Sequence, residues 1–135
     1  MKLNSKDLEN KSLWNGYHLP EYDRKKMVEE TLKNPRWLHL GGGNIFRGFQ
    51  AVLADRMLEK GLMDTGIIVA GSCDSIQSAF KDHDDYCLAV ILKADGSVDK
   101  RVVGSIGQSL FFDGQDWTRL VEIFRNPSLQ VVTFT

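Results

Sequence analysis

The sequence predicts an α/β protein of Rossmann type, with a mostly parallel sheet, helices on both faces and a β-hairpin in the second half. Three observations support this prediction. A short strand at 36–40 runs directly into Gly41-Gly42-Gly43, and apolar residues then follow at helical spacing over 44–60. The unbroken apolar run at 67–70 is typical of a parallel strand covered on both faces. Residues 36–71 therefore form a predicted βαβ unit, a crossover that is almost always right-handed.

Length and composition agree with one globular domain and exclude several other classes. The chain has 135 residues, 42% of them hydrophobic and 26% charged, which is close to the average for globular proteins. The formal net charge of -1 gives no support to nucleic acid or an anionic membrane as the main partner. Two cysteines, Cys73 and Cys87, make no disulfide framework, and no signal peptide is recognisable. We therefore expect a cytoplasmic protein.

The elements before the βαβ unit are an arm and a helix. Residues 1–23 have scattered apolar groups in a polar background, which predicts an N-terminal arm that packs in part. A helix is predicted over 23–34, and Pro35 ends it because the residue before a proline is disfavoured in helices. The expected organisation is thus an arm at 1–23 and a nucleotide-binding domain at 24–135.

The second half of the chain is less regular. We predict a short helix at 75–82, two strands at 86–92 and 101–106 around the turn pair Asp95-Gly96, and a helix at 115–125. The last helix has Trp117, Leu120, Val121 and Phe124 on its apolar face. A final strand is predicted at 129–135. Because it is apolar and no loop follows it, we expect the sequence to continue into a larger protein.

The turn between the first strand and its helix has the features of a dinucleotide site. There, the first glycine allows a tight turn, the second lets a pyrophosphate approach the backbone, and the anion meets the free N–H groups of the helix. Gly41 and Gly43 fill these two positions, and Phe46 stands where a third glycine is usual. A glycine cluster alone is a weak signal, but its strand–turn–helix setting favours a ligand site over a flexible turn.

An acidic residue after the second strand is the next requirement, since it holds the ribose hydroxyls of the adenosine. Asp74 has the expected type and place, and the absence of Arg or Lys between it and Lys81 favours NAD over NADP. The alternative is that Asp74 caps the following helix. Arg47 either pairs with a phosphate or is solvated, and Asn44 either bonds near the turn or caps its helix.

No catalytic group and no metal site is predicted. His39 lies inside a strand, where a packed histidine is more common than a catalytic one, and His18 and His83 have no partner at ligand spacing. Asp82, Asp84 and Asp85 resemble a metal cluster, but a solvated loop is the better interpretation.

The glycine turn lies in a longer motif, Trp37-Leu38-His39-Leu40-Gly41-x-Gly43-Asn44-Ile45-Phe46-Arg47-Gly48-Phe49-Gln50-Ala51, preceded by Pro20-x-Tyr22-Asp23-Arg24 and followed by Asp55-Arg56. This motif resembles the start of the mannitol dehydrogenase family, the polyol-specific long-chain dehydrogenases that include fructuronate reductase (mannonate oxidoreductase). The resemblance extends through Asp85-Tyr86 and Val103-Gly104-Ser105-Ile106 to the last strand, most of the chain after residue 19. Some relatives have His-Arg-Ala-His-Gln at 46–50, and this departure favours the hexuronate-reductase or uncharacterised branches.

The resemblance implies an NAD(H)-binding domain, with the pyrophosphate on Gly41, Gly43, Asn44, Ile45, Phe46 and Arg47 and the ribose on Asp74. It implies a parent enzyme that interconverts a secondary alcohol and a ketone on a sugar alcohol or sugar acid. A second, mostly helical domain would supply the catalytic lysine, asparagine and histidine, so the 135 residues alone are expected to be inactive and to self-associate through the uncovered face. A regulatory nucleotide-binding module and a SAM-dependent methyltransferase are the alternatives.

Overall fold

The computed structural model describes all 135 residues apart from the side chain of Cys73, and within this range it contains one four-stranded and one two-stranded sheet. The strands are β1 Trp37–Leu40, β2 Ile67–Gly71, β3 Cys87–Leu92, β4 Val98–Val103, β5 Ile106–Phe111 and β6 Val131–Phe134. The α-helices are α1 Ser5–Glu9, α2 Arg24–Lys33, α3 Ala51–Glu59, α4 Cys73–Ala79 and α5 Trp117–Arg125. The larger sheet has the order β5-β2-β1-β6 and is parallel throughout. The predicted α/β fold is confirmed.

Apolar side chains cover both faces of the parallel sheet. Because successive residues of a strand point to opposite faces, Ile67 and Val69 belong to one core and Ile68 and Ala70 to the other. The first core also receives α3, α4 and the hairpin β3–β4, and the second receives α5 through Leu120 and Ile123. Fully burying such a side chain contributes roughly 1.5–3 kcal/mol. This explains the unbroken apolar run of β2.

The helix after the glycine turn begins with one wide turn. Residues Phe46–Gln50 are π-helical, and the Ala51 N–H bonds the carbonyl of Phe46, five residues back, before α3 continues. The extra residue rotates the rest of the helix, and the buried positions are Phe46, Ala51, Val52, Ala54, Asp55 and Leu58. The helical spacing of apolar residues over 44–60 predicts one buried face, and this is wrong at Ile45, Phe49 and Leu53, which are exposed.

The hairpin forms its own sheet, and the strand after it departs from the prediction. β3 and β4 pair antiparallel around the Asp95-Gly96 turn, but β4 ends at Val103 and a new strand, β5, begins at Ile106 and joins β2 in the parallel sheet. The strand predicted at 101–106 is thus wrong in its second half. Gly107 interrupts the apolar pattern of β5, so the sequence does not mark this strand. The glycine is needed because a Cβ at position 107 would lie 2.6 Å from Cγ2 of Thr31 on α2.

The arm packs on the hairpin rather than on the parallel sheet. Trp14 is buried in a cluster with Tyr86 and Val102, and its indole N–H donates to the carbonyl of Asp7 at 3.0 Å. The backbone of His18 pairs with β4. The His18 N–H donates to the Lys100 carbonyl, and the His18 carbonyl accepts from the Val102 N–H, both at 2.8 Å. The helix that follows starts where expected, with the Asp23 carboxylate accepting from the Lys26 N–H.

A buried ionic network joins the arm, α3 and the hairpin. Asp55 has no exposed surface, and it accepts from the Tyr22 hydroxyl at 2.7 Å, the Arg101 guanidinium at 2.8 Å and the Gly104 N–H at 3.0 Å. Arg101 also donates to Glu59 at 3.0 Å, and Glu59 lies 2.7 Å from Nε2 of His18. Burial and the Asp55 carboxylate raise the pKa of Tyr22, which keeps its hydroxyl a donor.

Helix α5 lies across the second core with less of its apolar surface covered than predicted. Leu120 and Ile123 are buried, whereas Trp117 and Phe124, both assigned to the apolar face, are 60% and 54% exposed. In the part of the chain that the structure describes, no helix is both long and apolar enough to span a membrane.

Candidate nucleotide site

The glycine turn lies where the strand order of the parallel sheet reverses. From β1 the chain moves to β2 and β5 on one side, and it then returns to β6 on the other side of β1. In open α/β sheets, ligands bind in the crevice outside the carboxyl ends of the strands at such a point. The carboxyl end of β1 is Leu40, and Gly41 follows it directly.

The three glycines of the turn meet three different surroundings. Gly41 has a φ of +112°, and a Cβ there would lie 2.6 Å from the backbone oxygen of Thr135, at the end of β6. A Cβ on Gly42 would lie 2.7 Å from the ring of Phe80. A Cβ on Gly43 would have no neighbour within 4 Å. The fold therefore explains the first two glycines, while the third leaves open space beside the helix start.

The N–H groups at this helix start are unused within the described structure. The Arg47 N–H is the first to bond backwards, to the Gly43 carbonyl at 3.1 Å, so the N–H groups of residues 43–46 have no partner there. Ile45 is exposed, but Phe46 is fully buried, with its ring stacked 4.3 Å from that of His39. Of the predicted site residues, Phe46 thus offers only its backbone to a ligand.

Asn44 and Arg47 are next to each other on this helix start. The Arg47 guanidinium donates to the side-chain oxygen of Asn44, so Asn44 bonds near the turn and makes no side-chain cap to the helix. Arg47 is half-buried rather than solvated, and its Nε has no hydrogen-bond partner among the described atoms. One guanidinium nitrogen of Arg47 is therefore bonded to Asn44, while the Nε–H still lacks an acceptor.

Asp74 lies one strand away from the turn. It occupies the first turn of α4, whose N-cap is Ser72, so the interpretation of Asp74 as the N-cap is wrong. Asp74 is exposed, and its carboxylate accepts no hydrogen bond from the described residues. The nearest lysine in sequence, Lys81, donates to the Ser109 carbonyl at 2.9 Å and lies 4.8 Å from the Phe111 ring centre.

His39 is buried, as its place within β1 predicted, and it joins β1 to β6. Its Nδ1 is 2.8 Å from Oγ1 of Thr133, and its Nε2 is 3.2 Å from Oγ1 of Thr135. Burial lowers the pKa of the imidazole, while a hydrogen bond with the Gly41 backbone opposes this shift. The ring is therefore neutral at physiological pH. No sequence signal connected His39 with residues almost a hundred positions later.

An apolar cavity of about 370 Å³ lies at the same edge of the sheet. Leu40 of β1, Phe112 after β5 and Trp117 and Phe124 of α5 line it. A larger, open cavity of about 1260 Å³ lies between the arm and α2, and its lining includes no residue of the glycine turn or of α4. The apolar cavity is the one beside the strand ends.

The other candidate residues have structural roles. Asp84 and Asp85 adopt left-handed φ values of 51° and 60°; Asp84 accepts from the Ser5 N–H and Asp85 from the Ser109 hydroxyl. Among the described residues, no group of three potential ligands could hold a metal ion. Burial raises the pKa of the Cys87 thiol to about 12, so this cysteine is unreactive at neutral pH.

Two curated relatives match the chain over its whole length. One is the D-mannonate oxidoreductase of Thermotoga maritima, which is 40% identical over 141 residues. The chain covers 26% of the full length of that enzyme. The other is the mannitol 2-dehydrogenase of Aspergillus clavatus, which is 31% identical over 144 residues. The chain covers 27% of the full length of this second enzyme. The chain matches the N-terminal part of the mannitol dehydrogenase family. It spans about a quarter of the length of these family members, and no family model matches it.

The fold agrees with this family. The structure of Pseudomonas fluorescens mannitol 2-dehydrogenase, a ternary complex with NAD and D-mannitol, superposes on the whole chain with a TM-score of 0.82 at 23% identity. The chain again covers only 26% of that protein. The recognised resemblance to the family is confirmed on both sequence and fold.

Proposed function

We propose that this chain binds NAD(H), with the pyrophosphate on the turn formed by Gly41, Gly43, Asn44, Ile45 and Phe46. The observation that carries the proposal is the open space at Gly43, next to four free N–H groups and at the reversal of strand order. Arg47 has a guanidinium hydrogen left to donate to a phosphate oxygen. The bound NAD of the P. fluorescens enzyme, which has the same fold, is consistent with this proposal.

Asp74 and the apolar cavity complete the proposed site. The Asp74 carboxylate is exposed after β2 and would accept hydrogen bonds from the ribose hydroxyls. NAD is favoured over NADP because the Asp74 carboxylate would repel a 2′-phosphate, and the Lys81 ammonium is held at the Ser109 carbonyl. The aromatic and aliphatic lining formed by Phe112, Trp117 and Leu40 suits the planar adenine base.

The test is a fluorescence titration of NADH against Gly43→Val and a matched control, Gly48→Val. Gly43 is exposed just before the helix and Gly48 is exposed within the π-helical turn, and a Cβ at either would have no neighbour within 4 Å, so neither valine meets a clash. We expect Gly43→Val to weaken NADH binding at least tenfold, about 1.4 kcal/mol, and Gly48→Val to bind as the wild type does. Equal affinity in all three proteins would contradict the site, and tighter binding of S-adenosylmethionine than of NADH would favour a methyltransferase.

We further propose that residues 24–135 act as the NAD-binding domain, and 1–23 as its arm, in a longer oxidoreductase. That enzyme would transfer hydride between NAD(H) and a secondary alcohol or ketone of a sugar alcohol or sugar acid, with its catalytic residues in another domain. The mannonate–fructuronate type is favoured over mannitol, because the identity is 40% to the mannonate enzyme and 31% to the mannitol enzyme. A cytoplasmic location agrees with the free, buried thiol of Cys87.

We propose that the 135 residues alone have no turnover, because the family resemblance places the lysine that accepts the hydroxyl proton outside these residues. The assay supplies NAD with D-mannonate or D-mannitol and follows NADH formation. Detectable alcohol oxidation that depends on Gly43 would contradict the placement of the catalytic residues elsewhere.

We also propose that the isolated chain self-associates through β6. Within the described sheet, β6 has a neighbour on one side only. The N–H groups of Val131 and Thr135 bond β1, so by alternation the backbone groups of Val132 and Phe134 face away from it. Phe134 is 79% exposed. Antiparallel pairing with the β6 of a second copy would satisfy these backbone groups and cover the ring.

A further inference from the structure

Four side chains form a hydrogen-bonded chain between β1 and β6 that ends at the glycine turn. The Trp37 indole Nε1 lies 2.8 Å from Oγ1 of Thr133, which lies 2.8 Å from Nδ1 of His39. Nε2 of the same ring lies 3.2 Å from Oγ1 of Thr135. Neither the sequence motifs nor the proposed cofactor contacts include Thr133 or Thr135.

The direction of this chain follows from its first member. An indole N–H can only donate, so Thr133 accepts from Trp37. If Nδ1 of His39 also carried a hydrogen, Thr133 would accept twice and its own hydroxyl hydrogen would have no partner among the described atoms. When Thr133 instead donates to Nδ1, its own hydroxyl hydrogen has a partner. The neutral ring then carries its hydrogen on Nε2 and donates to Thr135, with the Gly41 backbone as a second partner.

The last hydroxyl in the chain is left with a hydrogen to donate. Thr135 accepts from His39, so its own O–H points elsewhere, and Thr135 is an exposed residue. Its Oγ1 would lie 3.3 Å from a Cβ on Gly41, which places this hydroxyl at the start of the turn. The stacking of His39 on Phe46 fixes the ring relative to the helix that begins there.

We propose that His39 is a positioning residue of the nucleotide site, held as the Nε2–H tautomer so that the Thr135 hydroxyl donates into the crevice beside Gly41. The acceptor is an oxygen of the bound dinucleotide, on a phosphate or a ribose, and this part rests on the proposed NAD(H) function. Thr135 is the binding residue; His39 acts through it and through Phe46.

Long-range ¹H–¹⁵N spectra of the imidazole test the tautomer without any ligand. We expect Nε2 of His39 to be protonated and Nδ1 unprotonated in the wild type and in Thr133→Ser, which keeps the hydroxyl. Thr133→Val removes the donor to Nδ1, and we expect the Nδ1–H form to gain population. A wild-type ring protonated at Nδ1, or a tautomer that is the same in both Thr133 variants, overturns the directed chain.

NADH titration tests the positioning role. We expect Thr135→Val to weaken NADH binding about tenfold, as the loss of one hydrogen bond to a charged group does, and Thr135→Ser to keep the wild-type affinity. His39→Phe keeps the stacked ring but loses both hydrogen bonds, and it should weaken binding as much, with partial recovery in His39→Gln.

The outcomes separate this inference from the proposed function. A wild type that binds NADH no more tightly than Thr135→Val overturns the positioning role and leaves NAD(H) binding intact. A wild type that does not bind NADH overturns the proposed function, and the spectra then decide the directed chain alone. If His39→Phe does not fold, the exposed Thr135 pair carries the binding test.

Discussion

Identical residues in the glycine turn do different physical work. Gly41 supplies a left-handed φ and admits the backbone of Thr135, Gly42 makes room for the Phe80 ring, and Gly43 touches nothing. The sequence predicted the turn and Asp74 because their order along the chain is local. It did not predict which glycine has open space beside it, because that depends on Phe80 and Thr135, which belong to other parts of the chain.

Asp74 provides the first prediction at the residue scale. Asp74→Ala should weaken NADH binding about tenfold through loss of a charged hydrogen-bond acceptor. The free energy of unfolding should change by less than about 0.5 kcal/mol, because the side chain is exposed and unbonded. The control is Glu21→Ala, which removes an exposed carboxylate that lies on the arm. Titration and urea unfolding of the three proteins measure both quantities, and equal affinities would remove Asp74 from the site.

The pH dependence of stability provides the second prediction at the residue scale. Burial lowers the pKa of His39 in the folded state, whereas the unfolded value is roughly 6.5. As pH falls below this value, the unfolded chain binds a proton that the folded chain binds only at lower pH, so stability present above pH ~6.5 is progressively lost. Urea unfolding at about pH 7.5 and about pH 5 should show a smaller decrease in His39→Phe than in the wild type. An identical decrease would mean that His39 is not the group responsible.

At the scale of elements, the structure departs from the sequence prediction in the helix after the glycine turn and in strand β5, and each departure has its own physical cause. The wide turn at Phe46–Gln50 adds a residue, and no periodicity analysis with 3.6 residues per turn can assign the faces on both sides of it. Strand β5 was missed because Gly107 and Gln108 interrupt its apolar pattern, although Gly107 is required by the approach of α2. Helices α2 and α5 and strands β1 and β2 were predicted within a few residues, since caps and apolar runs mark them locally.

The hairpin carries the prediction at this scale, through its ion pair with α3. Arg101→Met should leave the fully buried Asp55 carboxylate without its cation and cost about 3–5 kcal/mol of unfolding free energy. Arg36→Met removes the exposed pair with Asp64 at 3.0 Å and should cost no more than about 1 kcal/mol. Urea unfolding compares the two variants. A loss of similar size in both would show that the Asp55 network does not hold the hairpin.

One edge of the parallel sheet, β6, and part of the apolar face of α5 are uncovered. Val132 and Phe134 on β6 and Trp117 and Phe124 on α5 are all exposed, while the opposite edge strand, β5, is covered by α2. Apolar side chains next to free strand-edge groups favour association.

Phe134→Lys should therefore shift the isolated chain to monomer in sedimentation experiments, because a charge at the edge opposes pairing. Leu92→Lys replaces an equally exposed apolar residue, 78% against 79%, on the separate hairpin sheet and should leave association unchanged. Monomeric wild-type protein at high concentration would contradict the edge pairing, and loss of association in both variants would indicate nonspecific aggregation.

The pairing of β1 with β6 also decides when the nucleotide crevice can exist during folding. The bonds from Trp37 and His39 to Thr133 and Thr135 join residues 94–96 positions apart, whereas the hairpin β3–β4 closes over a short turn. Contacts of such long sequence separation form slowly, because the intervening chain must first be ordered. On a ribosome, Gly41 and Gly43 emerge early, but the strand that completes their crevice emerges almost a hundred residues later. The glycine turn therefore lacks the wall that gives it a ligand-binding shape until β6 has been synthesised.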